Sequence, residues 1–181
     1  VHLENSLYFT GDTIKTAVVD NKIGLLTNDY VEYSYSVVAG TRAKVSLVWT
    51  DFEGDPSASK MLVNDLNLLV TVPGGTQYKG NVYTAGFSTT GGVYDTLNNV
   101  ECFNMAAPAT GVYTIRVTGF AIARGPQPFA VVISGALTDG YGNVFLDRTV
   151  YGDEDTITID VEDTNNPAGS VSVTLTTTSG D

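Results

Sequence analysis

Histidine and cysteine are almost absent from this chain of 181 residues, which contains one of each, His2 and Cys102. A Ser-His-Asp or Cys-His catalytic site needs an imidazole held in a pocket, whereas His2 lies at the chain terminus, where order is usually poor. A single cysteine can form neither an internal disulfide nor a thiolate metal cluster. We therefore predict no catalytic residue in this chain, and for Cys102 a small, half-buried packing role.

Basic residues are also scarce, because 9 Lys+Arg stand against 20 Asp+Glu and give a net charge of −11. This excess of negative charge argues against a nucleic-acid partner. No apolar run approaches the length of a membrane-spanning segment. The balance suits an extracellular protein that binds cations through oxygen ligands.

Sustained helical periodicity is missing as well, and strict alternation of apolar and polar residues takes its place. The clearest alternating segments are 31–37, 45–49 and 112–118. About eight segments of this kind, separated by short turns, predict an all-β protein with a jelly-roll β-sandwich over residues 1–137. Residues 1–30, which contain three short apolar runs, are expected to form short leading strands.

The character of the chain changes after residue 137. Residues 138–181 contain nine acids and one base, a net charge of −8, whereas the first 137 residues have a net charge of −3. Three candidate strands, at 144–146, 156–161 and 171–177, are too few to bury a core alone. This segment packs on the first domain, pairs with another copy, or is part of an immunoglobulin-like module, and we favour the last interpretation.

Residues 62–70 have the apolar density of a buried strand, yet they include Asp65 and Asn67. These two residues are two positions apart, so on a strand their side chains leave by the same face. Burying a carboxylate without a partner is costly. The pair therefore needs hydrogen-bond donors, water or a cation.

Other oxygen-bearing side chains are expected near this pair. Asp51 lies at the end of one predicted strand, and the long loop 79–97 leads into another predicted strand. Calcium binds roughly six to eight oxygen ligands, mixing carboxylates with amide and backbone carbonyls. We predict a calcium site drawn from a set of six residues: Asp51, Asp65, Asn67, Asp95, Asn99 and Glu101. The alternative is that these are surface acids and residues of Asx turns.

Aromatic residues are concentrated in the loop 79–97, at Tyr83, Phe87 and Tyr94. Such rings can stack on sugars, and jelly rolls often bind carbohydrate, although that link rests on analogy of fold. The other interpretation is that the rings anchor the loop.

Five motifs occur in a characteristic order: VSLVWTD at 45–51, LVNDLNLL at 62–69, NNVE at 98–101, GVYTIRV at 111–117 and GPQPFAV at 125–131. Over roughly residues 30–137 the chain resembles the β-barrel domain that follows the catalytic domain in certain secreted subtilisin-like serine peptidases. The peptidases are those of the oxidatively stable alkaline protease type.

This resemblance implies a non-catalytic jelly-roll domain that stabilises the upstream catalytic domain of the same polypeptide and carries calcium. It also implies that the chain is a piece of a longer secreted protein, of prokaryotic type, whose catalytic Asp, His and Ser lie upstream. The family usually has Asp where this chain has Asn67, and residues 142–163 resemble the start of an immunoglobulin-like module. The alternatives are a carbohydrate- or cell-wall-binding module and a structural spacer of a multi-domain surface protein.

Overall fold

The computed structural model describes residues 13–138, 142–146 and 159–163. All secondary-structure elements in these ranges are β-strands, which confirms the all-β prediction. The chain divides into two compact units, Val1–Thr138 and Asp139–Asp181. His2 and the predicted strand at 171–177 lie outside the described residues.

The first unit is a β-sandwich of two four-stranded antiparallel sheets with a small additional hairpin. Its strands are β1 (Lys15–Leu25), β2 (Tyr30–Val37), β3 (Ala43–Val48), β4 (Asn64–Thr71), β5 (Gln77–Lys79), β6 (Tyr83–Thr84), β7 (Phe87–Ser88), β8 (Val100–Met105), β9 (Gly111–Ile122) and β10 (Gln127–Gly135). One sheet has the order β1-β10-β3-β8 and the other the order β2-β9-β4-β5. The chain passes repeatedly between the sheets, as it does in a jelly roll.

The core lies between the two sheets and is built from alternate residues of their strands. Its fully or almost fully buried side chains include Val45, Leu47, Phe103, Val131 and Ile133 from one sheet and Leu66, Leu68, Val70, Ile115 and Val117 from the other. Burying a side chain of this size contributes roughly 1.5–3 kcal/mol. The alternation predicted in segments 45–49 and 112–118 is confirmed, since every second residue of these segments faces the core.

The described part of the leading segment, from residue 13 onward, differs from its prediction because one long strand replaces the short ones expected there, while residues 1–12 lie outside the described residues. β1 pairs with β10 from Lys15 to Asn21, and the register then shifts before Leu25. At this irregularity Gly24 adopts a φ of 80°, and its N–H donates to Oδ1 of Asn21 at 2.9 Å. The polar and glycine residues that suggested chain breaks are thus accommodated within one strand.

Two consecutive residues after β5 connect the sheets at one side of the sandwich. The Gly80 N–H donates to the carbonyl of Leu68 on β4 at 2.9 Å, and the Asn81 N–H donates to the carbonyl of Cys102 on β8 at 2.9 Å. The side chain of Asn81 accepts from the Cys102 N–H at 2.9 Å and donates to the Val100 carbonyl at 2.8 Å. The beginning of the loop 79–97 therefore follows the outer edge of β8.

The second unit contains one described strand pair, β11 (Gly142–Leu146) and β12 (Ile159–Asp163). The two strands are antiparallel, with Gly142 opposite Asp163. They overlap the first two predicted strands of this segment, at 144–146 and 156–161.

Candidate metal centre

Strand β4 is buried on both faces at its beginning. Its first five residues are all buried, and Leu66 and Leu68 among them face the core. The opposite face carries Asp65 and Asn67, which are only 2% and 5% exposed. The sequence prediction of a buried strand with a polar pair on one face is therefore confirmed, and the pair needs a partner.

A β-bulge on β9 lies beside this pair. Asp65 is opposite Ala121 and Leu66 is opposite Gly119, so Phe120 is an extra residue. Bulges of this kind redirect the side chains next to them and are frequent near functional sites.

Glu101 extends from the other sheet to the backbone of β4. It shares the inner face of β8 with Phe103 and is fully buried. Its Oε2 accepts a hydrogen bond of 2.7 Å from the N–H of Leu68. Because this N–H belongs to the peptide group between Asn67 and Leu68, the carboxylate of Glu101 lies against the backbone of the polar pair.

Gly80 makes this position of Glu101 possible. A Cβ at residue 80 would clash with Oε2 of Glu101 and would lie 2.8 Å from its Cβ. Only glycine leaves room for the carboxylate here.

Three of these buried side chains have an oxygen without a hydrogen-bond partner: Oδ1 of Asp65, Oδ1 of Asn67 and Oε1 of Glu101. Two other buried oxygens of the described residues share this state, on Thr41 and Asn104. Leaving a buried acceptor unpaired costs about 1–3 kcal/mol, and more for a charged group. Three such atoms, on one strand and on the carboxylate lying against it, form a local deficit of donors that water or a cation can fill.

The pKa values of Glu101 and Asp65 reflect the same shortage of hydrogen-bond donors and positive charge. Burial raises the pKa of Glu101 to about 8, the bond from Leu68 opposes this, and the negative charges of Asp95 and Asp65 add to it. Burial also raises the pKa of Asp65, against the hydrogen bond and charge of Lys60, while Asp95 and Asp51 raise it further. The negative charge of Asp95 thus acts on both Glu101 and Asp65, and a cation beside them would offset it.

Asp51, the first of the predicted ligands along the chain, is engaged with the backbone. Its two oxygens accept from the N–H groups of Val63 and Asn64 at 2.7 and 2.8 Å. It fixes the end of the loop that leads into β4.

Asp95 is likewise supplied with protein donors. Its Oδ1 accepts from the backbone of Leu97 and Asn98, and its Oδ2 accepts from the side-chain amides of Asn81 and Asn98, both at 2.7 Å. Burial alone would raise the pKa of Asp95, but these donors outweigh it and lower the pKa.

Asn99 is exposed, and its amide donates to the carbonyl of Trp49 at 3.0 Å. No three Asp, Glu, His or Cys side chains converge as a metal cluster within the part of the chain that the structure describes. The predicted residues with free buried oxygens are two carboxylates and an amide, Asp65, Glu101 and Asn67. We call them the β4 oxygen set.

Lys60 was missed by the sequence prediction. Its Nζ lies 3.0 Å from Oδ2 of Asp65. Lys60 is the only base between Asp51 and Asp65, a signal that could have identified it. Gly80 had no such signal, since its requirement arises from a contact with a distant strand.

The aromatic residues of the loop 79–97 are engaged with their own chain. Tyr94 has Nζ of Lys79 4.9 Å from its ring centre, and Phe87 has the guanidinium of Arg42 at 5.2 Å. The hydroxyl of Tyr83 donates to the Cys102 carbonyl at 2.7 Å. Two of the three rings thus have a cation over one face, which favours the anchoring interpretation over a platform for glycans.

No protein-family profile matches the chain. Over 117 residues, or 62% of the chain, it is 35% identical to a Dictyostelium discoideum protein named serine protease/ABC transporter B family protein tagA. The chain spans 7% of the length of that protein.

Among solved structures, the fold is similar to the Aeromonas hydrophila protein PliG, a periplasmic inhibitor of g-type lysozyme, at 19% identity and a TM-score of 0.34. The match covers 71% of this chain and 90% of that one. In the described ranges, no helix has the length and apolarity to cross a bilayer.

Proposed function

We propose that the first unit is a non-catalytic accessory domain of a secreted subtilisin-like serine endopeptidase, which it stabilises. The five ordered motifs support this proposal, as does the similarity to a protein named as a serine protease. The catalytic residues would then belong to an upstream domain of the same polypeptide. The jelly-roll sandwich supplies a rigid scaffold for such a role.

We also propose that this unit binds calcium through the β4 oxygen set. The observation that carries this proposal is the presence of three buried, unpartnered oxygens on Asp65, Asn67 and Glu101. Two carboxylates and an amide are the hard oxygen donors that calcium prefers. The ion would neutralise the buried negative charge and link β4 to β8, and water or backbone carbonyls would complete its shell.

Asp51, Asp95 and Asn99 take supporting roles in this proposal. Each of them fixes a backbone segment next to the oxygen set. The charge of Asp95 also adds to the field at Glu101.

An extracellular location is part of the proposal, since a site with only two carboxylates suits the weak affinities, on the order of 0.1–1 mM, of extracellular calcium modules. The second unit we propose to be part of an immunoglobulin-like module. Its described pair of antiparallel strands is compatible with that assignment.

Calcium binding is tested by titration calorimetry and by thermal unfolding of the 181-residue chain in calcium and in chelator. We expect measurable binding and a higher melting temperature in calcium. The double variant D65N/E101Q should lose both effects, whereas D20N, which removes an exposed acid, should keep them. A wild-type chain that binds no calcium and melts identically in both buffers would refute this part.

The peptidase role is tested in the parent polypeptide by deleting the sandwich unit. The deletion should leave cleavage of a small peptide substrate largely intact but should shorten the half-life of activity on heating. An unchanged half-life, or an upstream region without a serine-peptidase domain, would overturn the accessory role.

A further inference from the structure

Among the described residues, Lys60 forms the one ion pair that reaches the β4 oxygen set. Its ammonium lies 3.0 Å from Oδ2 of Asp65, and the lysine side chain is 40% exposed while that of Asp65 is 2% exposed. The other ion pairs of the described residues, Lys22–Asp20 and Arg116–Glu32, join exposed or half-exposed side chains. Lys60 is therefore a cation that extends from the solvent side to a buried carboxylate.

The loop that carries Lys60 is fixed by hydrogen bonds on both sides of this residue. Asp55 accepts from the N–H and the hydroxyl of Ser57 at 2.8 and 2.7 Å. Asp51 accepts from the N–H groups of Val63 and Asn64. The lysine is thus presented to Asp65 by an ordered turn on one side and an anchored strand entrance on the other.

The pairing is incomplete for the site as a whole. Lys60 occupies one oxygen of Asp65, and the other oxygen of Asp65 remains without a partner, as do Oδ1 of Asn67 and Oε1 of Glu101. One ammonium supplies a single charge and cannot reach every acceptor of the set. The ammonium of Lys60 thus supplies part of the positive charge that a divalent ion would bring to this site.

We propose that Lys60 is a tethered counter-ion that stabilises the calcium-free chain and competes with calcium at Asp65, so that this residue sets the calcium affinity of the site. This inference rests on the proposed calcium function. A calcium ion bound to Asp65 meets the repulsion of the ammonium unless Lys60 moves into solvent, which its partial exposure allows. The chain would thereby hold its affinity in a range that responds to calcium concentration.

The test compares K60M with wild type in the 181-residue chain, using calorimetric titration of calcium chloride and melting in chelator. We expect calcium affinity to rise roughly three- to tenfold in K60M, because a like charge is removed. We expect the melting temperature in chelator to fall, because Asp65 loses its partner. The two shifts have opposite signs, which a general loss of stability would not produce.

K22M is the matched control, since it removes the same charge from an exposed pair with Asp20. It should leave both calcium affinity and chelator stability at the wild-type values. K60R, which keeps the charge, should also bind calcium as the wild type does, and K60Q replaces K60M should the latter not fold.

The outcomes separate the two proposals. Equal calcium affinity in wild type, K22M and K60M overturns the role of Lys60 and leaves the calcium site intact. Calcium binding by K60M alone refutes calcium binding by the wild type and, with it, the proposed tuning of the wild-type affinity by Lys60. Absence of binding in all variants overturns the calcium proposal and this inference together.

Discussion

Two buried polar clusters lie next to each other at the start of β4, and they differ in how they are satisfied. Asn64 is fully buried, and its amide donates to the Arg124 carbonyl and to Gln127, while its Oδ1 accepts from the Arg124 N–H. Gln127 in turn donates to the carbonyls of Thr50 and Pro128. One residue further along, Asp65 begins the oxygen set, in which three acceptors have no donor.

This difference in hydrogen bonding distinguishes buried polar groups that stabilise the fold from those available to bind a ligand. Both clusters are equally removed from solvent, so burial alone does not distinguish them. The Asn64–Gln127 network satisfies its donors and acceptors within the chain and can only fasten strand ends. In the oxygen set, Lys60 and the Leu68 N–H satisfy one oxygen each of Asp65 and Glu101, and three further oxygens receive no donor from the described residues.

The largest effect is expected from breaking the satisfied network with N64A. This change leaves groups of Arg124 and Gln127 unpaired and opens a small cavity, and we expect a loss of about 3 kcal/mol in the free energy of unfolding. Urea unfolding in chelator and in calcium should give the same loss. A loss that depends on calcium would instead make Asn64 part of the metal site.

G80A should have the next largest effect, because its Cβ displaces Glu101. We expect a loss of about 2 kcal/mol together with weaker calcium binding, measured by urea unfolding and calorimetry. The double variant G80A/E101A should relieve the clash with the carboxylate while the Cβ of residue 101 remains, so the two changes should be non-additive. Additive losses would show that residue 80 does not press on Glu101.

E101Q should have a smaller effect on the stability of the chain in chelator, and the sign of this effect depends on pH. The pKa of Glu101 is raised to about 8 in the folded chain from 4.5, so the folded state retains a proton that the unfolded state has lost. Stability from this group therefore falls as pH rises from about 4.5 to about 8.

In chelator, E101Q should consequently unfold at higher urea concentration than wild type at pH 8 and show a flatter pH dependence. Its amide can also donate to the acceptors that lack a partner. The exposed control E32Q, which alters the pair with Arg116, should retain the wild-type pH dependence. Identical slopes for E101Q and wild type would contradict a buried, proton-binding Glu101.

The smallest change is expected from N67D, which restores the acid usual in the resembling family. The additional charge should tighten calcium binding several-fold and lower stability in chelator by about 1 kcal/mol. Calorimetry and melting in the two buffers measure both. Unchanged affinity would remove residue 67 from the oxygen set.

Much of this arrangement could be predicted from the sequence, since it follows from the period of a strand. Alternation alone placed Asp65 and Asn67 on one face of β4 and gave the inward faces of β3 and β9. These features depend on neighbouring residues and on a period of two.

The rest depends on contacts between distant segments. Asp51 and Asp95 look like Asp65 in sequence, but backbone N–H groups and amides satisfy them, and the supply of donors is decided only when the loops fold. The approach of Lys60 to Asp65 and the space that Gly80 leaves for Glu101 are likewise tertiary. Sequence therefore predicted the candidate acids but not which of them retain free oxygens.

The crossing at Gly80 and Asn81 also has a consequence for the solution behaviour of the protein. β8 is the last strand of its sheet, and an uncovered last strand recruits strands of other molecules into aggregates. Asn81 occupies the N–H and carbonyl of Cys102 and the carbonyl of Val100, and Ser88 occupies the N–H of Asn104. The long loop thus covers the edge of β8 and opposes the addition of strands from other molecules. It does so at the edge of the sandwich where Glu101 links β8 to β4.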